Sequence, residues 1–464
     1  MRLYNTLTRQ VSDVVPIEEG RIKLYTCGPT VYRYAHIGNL RTFLLSDLVR
    51  RAAEFEGYEV TQVINITDVG HMVDETSADA VDKMQLAVVD EGLQPLEIAH
   101  KYTEAFLEDA RAIGIKPPDH LPKATDHIPE MLRISEDLIA RGHAYETDGN
   151  VYYDVQSFPA YGALSGNTLD QLRSGHRQDL EIDPNKRFHA DFALWKKAGA
   201  GRLMKWDSPW GEGFPGWHVE CSAMSMRYLG DRFDIHTGGV DLIFPHHEDE
   251  IAQSDGMAGH RVISTWVHGG HLRMRGQKMA KSTGNVTRVI DLADHGYDPL
   301  SFRYLTFQTR YRSEMDFTDD AMKAADGRVK QLRQRMQGWA AAERLGELVG
   351  VAADFDRRFR EAVSEDLDMP HALVVLNEAV GSSEISDGEK HALLASWDTV
   401  LGLDLERLAG DWFPTEEMRA LMTERDAARA SKDYTRADEL RDRLTAMGLE
   451  VMDSPGGTEV RPTA

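Results

Sequence analysis

Within the first 66 residues the chain alternates strand, loop, helix and strand, and few folds accommodate that order. IKLYTC at 22–27 is apolar and β-rich, and Gly28-Pro29 follows at once. An amphipathic run extends from about Leu40 to Phe55, with Leu44, Leu45, Leu48, Val49 and Ala52 on one face, and Gly57 stops it. Val60 to Ile66 is a second β run. Strand, loop, helix, strand is the βαβ signature of a parallel, nucleotide-binding sheet.

From about residue 70 the pattern changes. Helical stretches at 98–113 and 127–142 give way to short strands such as VYYDV (151–155) and DFALW (191–195). The β pattern resumes at FDIHTGG (233–239) and VISTWVHGG (262–270), and past about 318 the chain is almost wholly helical with charged faces. Near 415 a last segment begins, with a helical hairpin and a short terminal strand. The expected class is α/β. A Rossmann-like catalytic domain spans 1–70 and 230–317, split by an α+β insertion at 71–229 whose end carries Cys221 back to the sheet. A helical bundle at 318–410 and a small C-terminal subdomain at 411–464 follow. The length of 464 residues is in keeping with about three domains.

Several functional classes drop out early. MRLYNTLTRQ has no apolar core of a signal peptide, and no apolar stretch approaches the ~20 residues that span a bilayer, so no membrane partner is expected and a cytoplasmic location is. Two cysteines, Cys27 and Cys221, rule out a disulfide scaffold. The net charge of -23 argues against a general nucleic-acid coat. It does not exclude a nucleic-acid partner, because binding depends on where the basic residues lie. Arg328, Lys330, Arg333 and Arg335 form one local basic run, and Arg425, Arg429, Lys432, Arg436, Arg441 and Arg443 another.

Two loops suit phosphate. His36-Ile37-Gly38-Asn39 lies between the first strand and its helix, where Gly38 admits close backbone approach and the helix start offers unpaired N–H groups. Lys278-Met279-Ala280-Lys281-Ser282 follows the β run ending in Gly269-Gly270, and two lysines there suit the charge of a departing pyrophosphate. Taken alone, the first loop reads rather as a polar helix cap and the second as a solvated charged turn. Together, flanking one sheet, they resemble the HIGH and KMSKS signatures of class I aminoacyl-tRNA synthetases. Asn39 stands where that pattern has its second His, and Ala280 where it has its middle Ser. Asn keeps a neutral N–H donor, and both lysines remain.

Cys27, Cys221, His246 and Glu250 form a further constellation. His246 and Glu250 are four apart after Pro245, which puts them on one helical face. Thiolate, imidazole and carboxylate are a zinc donor set. By spacing alone His218, His247 and Asp249 are equally available. CGPTVY (27–32), SPWGEGFPGWHVECSAM (208–224), FDIHTGGVDLIFPHHEDEIAQS (233–254), EDLDMPHALVVL (365–376) and KDYTRADELRDRL (432–444) are all similar to the cysteine–tRNA ligase family. That resemblance runs along essentially the whole chain and is weakest at 70–95.

The resemblance implies activation of L-cysteine by ATP and its transfer to tRNA-Cys. It implies one Zn²⁺ per chain on Cys27, Cys221, His246 and Glu250, and Mg²⁺ arriving with ATP. His36, Asn39, Lys278 and Lys281 would be catalytic and, with Gly38 and Asp241, bind ATP. Thr67, Trp217 and His236 would contact cysteine, and a monomer is expected. A soft metal makes chemical sense here, since apolar packing separates near-isosteres such as cysteine and serine by only about 1–3 kcal/mol.

Overall fold

The chain opens on an antiparallel hairpin, β1 (Arg2–Asn5) with β2 (Gln10–Asp13), ahead of the first strand expected from the sequence. Only β1 is substantially buried, so the hairpin carries no alternating signal to read. β3 (Arg21–Thr26), α1 (Ile37–Phe55) and β4 (Glu59–Ile64) form the βαβ unit. The computed structural model describes all residues except 71–81, 175–182, 200, 275, 279–286, 343–347, 408–413, 415, 448, 455–456 and 463–464.

After β4 come α2 (Lys83–Glu91), α3 (Pro95–Ala112), α4 (Ile128–Ala140), β5 (Ala144–Thr147), β6 (Asn150–Tyr153), α5 (Leu169–Ser174), β7 (Phe192–Lys197) and β8 (Gly213–Pro215). Strands β5 to β8 pair antiparallel in chain order as a sheet of their own. α6 (Trp217–Leu229), β9 (Phe233–Gly239), α7 (Glu248–Ala258) and β10 (Ile263–Gly269) return the chain to the first sheet. That sheet is parallel throughout, in the order β10-β9-β3-β4. From β3 the chain steps outward to β4 on one side and later fills the other side with β9 and β10. A parallel sheet of this kind leaves its ligand crevice beyond the carboxyl ends, where the order reverses. Here that point lies between β3 and β9.

Both faces of the sheet are covered, as parallel sheets require. Ile22 and Leu24 point into one core with Leu44, Leu48, Ile98 and Phe302, while Tyr25 points into a second core with Val219, Trp195 and Trp266. Helices α2 and α3 belong to the first core, through Met84, Ala87, Ile98 and Phe106. Just beyond them His120 and Lys123 bridge onto the β4 edge, opposite Val63 and Ile66. The early part of the 71–229 segment is therefore packed on the sheet, because the apolar faces of α2 and α3 find their partner there.

β11 (Leu272–Met274), β12 (Gln277–Lys278), α8 (Val289–Asp294), α9 (Pro299–Phe307) and β13 (Met315–Phe317) connect the sheet to the helices. α10 (Asp319–Trp339), α11 (Gly350–Ser364), α12 (Met369–Gly381) and α13 (Asp387–Leu401) share the first core, with Leu332, Phe359 and Trp397 fully buried. A buried ionic knot fixes this junction. Arg303 on α9 and Arg51 on α1 both hold Asp47, at 2.6 and 2.7 Å. Arg51 also donates to Thr399 O and Gly114 O, both at 2.9 Å, and Arg303 donates to Leu401 O at the end of α13. Guanidinium groups at a helix C-terminus complement its carbonyl-rich end.

α14 (Glu416–Ala430), α15 (Tyr434–Ala446) and a terminal hairpin, β14 (Leu449–Ser454) with β15 (Gly457–Pro462), enclose a small core of Leu421, Leu440, Leu444, Leu449 and Val451. The single terminal strand expected here is two strands. Two members of the basic runs are structural: Arg333 is buried on Asp298 and the carbonyls of Leu403 and Asp404, and Arg425 on Asp453 and Thr458.

Candidate active site

A cleft of about 390 Å³ opens at the reversal point, lined by the 27–36 loop, the start of α1, Trp217, Asp241 and Gly269–Leu272. Its floor begins at Cys27, one residue past β3. The next residue has to be glycine, since a Cβ at Gly28 would collide with the Asn65 carbonyl. Asn65 holds this turn from below, its Oδ1 accepting from Gly28 N at 2.8 Å and from Tyr25 OH at 3.1 Å. Its amide donates to Thr67 Oγ1 at 3.1 Å. Thr67 is buried beneath the loop, bridged to Thr30, and stands behind the cleft wall.

His36 is the N-cap of α1. Its Nδ1 accepts from Asn39 N at 3.1 Å, and Asn39 Oδ1 accepts from His36 N at 3.2 Å. The two side chains thus close a reciprocal capping box. Burial, then the nearby Arg33 charge, lowers the His36 pKa below its ordinary value. A neutral ring whose Nδ1 accepts carries its proton on Nε2, and Asn39 keeps its amide N–H groups. The first turn of α1 holds no acid, so its N-terminal dipole is uncompensated. Ile37 N donates to Thr287 O at 2.9 Å, which ties this loop to the residues just after the lysine loop. Lys278 closes β12, which pairs with Arg273 on β11. Lys281 lies outside the described residues. Asp241 sits exposed in the turn after β9, and a side chain at Gly239 would meet its Oδ1 at 2.5 Å.

Beneath the cleft the sheet ends, α6 and α7 converge on a buried cluster. Cys27 Sγ lies 3.5 Å from Cys221 Sγ on α6 and 3.2 Å from Glu250 Oε1 on α7. His246 Nε2 is 3.1 Å from the same oxygen, and His236 Nε2 is 3.0 Å from Glu250 Oε2. Cys27, Cys221, His246 and Glu250 offer one ligand atom each within 4.8 Å of one another. Cys27, His236, His247 and Glu250 do the same, so two overlapping sets share a thiol and a carboxylate. His246 and His247 are not in a regular α-helix: they close a short wider turn, with Phe244 extended inside it, immediately before α7.

The protonation pattern is that of a site made for a cation. Burial would raise Glu250, but His236 and His246 hold it well below the usual carboxylate range. Burial would lower His246, yet Cys221 and Glu250 keep it well above the usual imidazole range. For Cys221 burial is outweighed by the Cys27 hydrogen bond and by His246, leaving it at about 7. Burial, then Cys221 and Glu250, pushes Cys27 well above the ordinary thiol value. Protons therefore stand among soft, negative donors, where a divalent ion would displace them.

Further histidines support the cluster. His218 Nδ1 meets His246 Nδ1 at 2.8 Å. His247 reaches Cys27 Sγ with Nε2 at 3.3 Å and His268 Nε2 with Nδ1 at 2.7 Å, and His268 Nδ1 ends on Thr6 Oγ1 at 2.7 Å. Burial, then His236, depresses His268 to about 3, so it stays neutral. Trp217 lids the cluster, its ring 4.4 Å from that of His246.

His268 and Asn65 were not singled out from the sequence. His268 had a legible signal: it lies two residues from Trp266 on β10, hence on the same face, and Trp266 pairs with His236. Asn65 had none, because its role depends on a turn that only the fold creates.

The profile of a family described as "tRNA synthetases class I (C) catalytic domain" matches residues 13–327, and one described as "Cysteinyl-tRNA ligase anticodon binding domain" matches 415–461. A "Cysteine--tRNA ligase" of Salinibacter ruber is 44% identical over 99% of this chain and 97% of its own length. One from Thermus thermophilus is 41% identical over 99% and 98%. Among solved structures, the Mycobacterium tuberculosis methionyl-tRNA synthetase bound by methionyl-adenylate has the same fold: TM-score 0.56, 15% identity, 82% of this chain and 90% of that one.

Proposed function

The chain belongs to the cysteine–tRNA ligase family of class I synthetases, and on that premise we propose that it activates L-cysteine with ATP at the cleft and esterifies it to the 3′-terminal adenosine of tRNA-Cys. The observation that carries this reading is the meeting of Cys27, Cys221, His246 and Glu250 at the floor of a nucleotide-sized cleft. Two thiols, an imidazole and a carboxylate, all buried, fit Zn²⁺. When bound, zinc supplies a soft acceptor that favours the substrate's sulfur over a serine hydroxyl. Of the two overlapping sets we favour the first, because its second thiol makes it the softer one. His247 then remains beside the Cys27 sulfur, linked through His268 to Thr6.

The chain's own residues orient and stabilise the rest. His36 presents Nε2–H, and Asn39 its amide, beside the open N-terminus of α1 and Gly38, where the ATP phosphates would lie. Asp241 faces the ribose. The cysteine carboxylate attacks the α-phosphate in line, and Lys278 and Lys281 meet the charge on the departing pyrophosphate, with Mg²⁺ riding on ATP. Trp217, His236 and Thr67 frame the amino acid. The ribose hydroxyl of tRNA then attacks the mixed anhydride, and no protein nucleophile is needed. Domains 1–70 with 230–317, and 71–229, would perform chemistry and hold the acceptor end. The bundle at 318–410 and the unit at 411–464 would carry the anticodon arm, with the monomer as the working form. Among the described residues no helix is long and apolar enough to cross a membrane, and we place the enzyme in the cytoplasm.

Purified protein should perform cysteine-dependent ATP–pyrophosphate exchange and charge tRNA-Cys. Exchange without tRNA charging, but with transfer to an amino-sugar, would replace the acceptor in this assignment.

A further inference from the structure

Arg41 lies on α1 three residues past Gly38, and its side chain is buried. A buried cation ordinarily takes an acid, as Arg303 and Arg51 take Asp47. Arg41 takes three carbonyls instead. Its Nη1 donates to Gly270 O at 2.8 Å and to His271 O at 2.7 Å, and its Nη2 to Ser313 O at 2.8 Å. Burial alone displaces its pKa, down to about 10, so it stays charged at neutral pH. The three carbonyls stand at the roots of two strands. Gly270 and His271 lead into β11, and Ser313 lies two residues before β13. β11 pairs with β13 on one side and on the other with β12, which ends at Lys278. His271 O also accepts from Met315 N at 2.9 Å, and Gly270 N donates to Tyr311 O at 2.8 Å. Residue 270 has to be glycine, since a Cβ there would meet Ser313 O at 2.5 Å. Gly270 and His271 themselves line the cleft. One side chain thus ties the helix behind the histidine loop to the small sheet that leads into the lysine loop.

We infer that Arg41 is a positioning residue for adenylate formation, acting through the sheet β12-β11-β13 to set Lys278 and its loop against His36 and Asn39. The inference rests on the function proposed above. A planar guanidinium suits the place, because its fixed fork meets three acceptors at once where an ammonium on a flexible stem is not pre-organised to. A carboxylate would have satisfied the cation equally well. Its negative charge, however, would stand behind the site where the ATP phosphates lie. Carbonyl dipoles hold the arginine and leave its positive charge uncancelled there. Lys278 answers charge that builds on the departing pyrophosphate, so a displaced strand root lowers kcat and not the affinity for cysteine.

The test is cysteine-dependent ATP–pyrophosphate exchange by wild type, Arg41→Met, Arg41→Lys, Lys278→Ala and the double variant Arg41→Met/Lys278→Ala, with zinc content measured alongside. Arg41→Met should lower kcat by about 100-fold, the loss that follows a misplacement of about 1 Å. Its KM for cysteine and its zinc content should stay at the wild-type values. Arg41→Lys, which keeps the charge but not the fork, should recover part of the rate. Lys278→Ala alone should cost roughly 10²–10³-fold, as for other lost transition-state donors. In the Arg41→Met background the same change should cost far less, because the lysine is already out of place. Should Arg41→Met fail to fold, the cycle is run with Arg41→Lys. Effects that multiply in full, or a raised KM for cysteine at unchanged kcat, would overturn the positioning role. A wild type without exchange is a different result: it sinks the proposed function and this inference with it.

Discussion

The floor of the cleft and its mouth handle charge in opposite ways. At the floor, Cys27, Cys221, His246 and Glu250 are almost wholly buried and pressed against one another, each pKa displaced by its neighbours. At the mouth, His36, Asn39 and Asp241 are partly or fully exposed, and His36 and Asn39 cap each other's backbone through acceptor atoms, which does not use their side-chain N–H donors. A dense, dry cluster discriminates, because it tolerates only one kind of guest. An open, wet rim performs chemistry on charges that arrive with the substrate.

If this division is right, the two regions fail differently. Cys221→Ser should strip the zinc and cut cysteine activation by more than the ~100-fold typical of outer-shell changes at metal sites, with metal content by elemental analysis falling in parallel. Retained zinc with full exchange would dissolve the contrast. A chelator should reproduce that loss in the wild type, and added Zn²⁺ should reverse it. His36→Ala should lower exchange by roughly 10²–10³-fold, as for other lost transition-state donors, while leaving metal content unchanged.

A smaller effect belongs between the regions. Asn65→Leu removes the acceptor for Gly28 N and Tyr25 OH, and should cost about 1–3 kcal/mol by denaturant unfolding, the usual penalty for stranded buried donors. A pH-dependent effect concerns Asp109, a buried carboxyl with little compensation. Burial raises it to about 7 against the pull of Arg288 and Arg419. Its folded pKa lies above its unfolded value, so its cost to stability is absent at low pH, grows as pH rises, and is complete above about 7. Asp109→Asn should therefore gain stability over the wild type only as pH climbs through that window. An equal gain at pH 3 would contradict the assignment.

Much of this was legible in the chain, and the rest for definite reasons was not. The βαβ unit, the return through β9 and β10, and the four soft donors all rest on local patterns: alternating or amphipathic runs, and residue types that have few uses together. The hairpin β1–β2 escaped because its second strand is mostly exposed. The ionic knot of Asp47, Arg51 and Arg303 escaped because charges in helices normally read as solvated faces. Arg333 and Arg425 misled for the same reason in reverse. Whether His247 or Cys221 sits nearer a metal depends on a turn of irregular backbone at 243–247, which no periodicity announces.

The knot has a mechanical consequence. Asp47 lies ten residues beyond Ile37 on one rigid helix, so the joint with the bundle and the phosphate loop are about 15 Å apart on the same rod. Arg51 grips the end of α13 on one side and Gly114 on the other, and cannot yield to either alone. A load on the C-terminal half is therefore borne at Asp47 by the same helix whose first turn the phosphate loop's histidine caps.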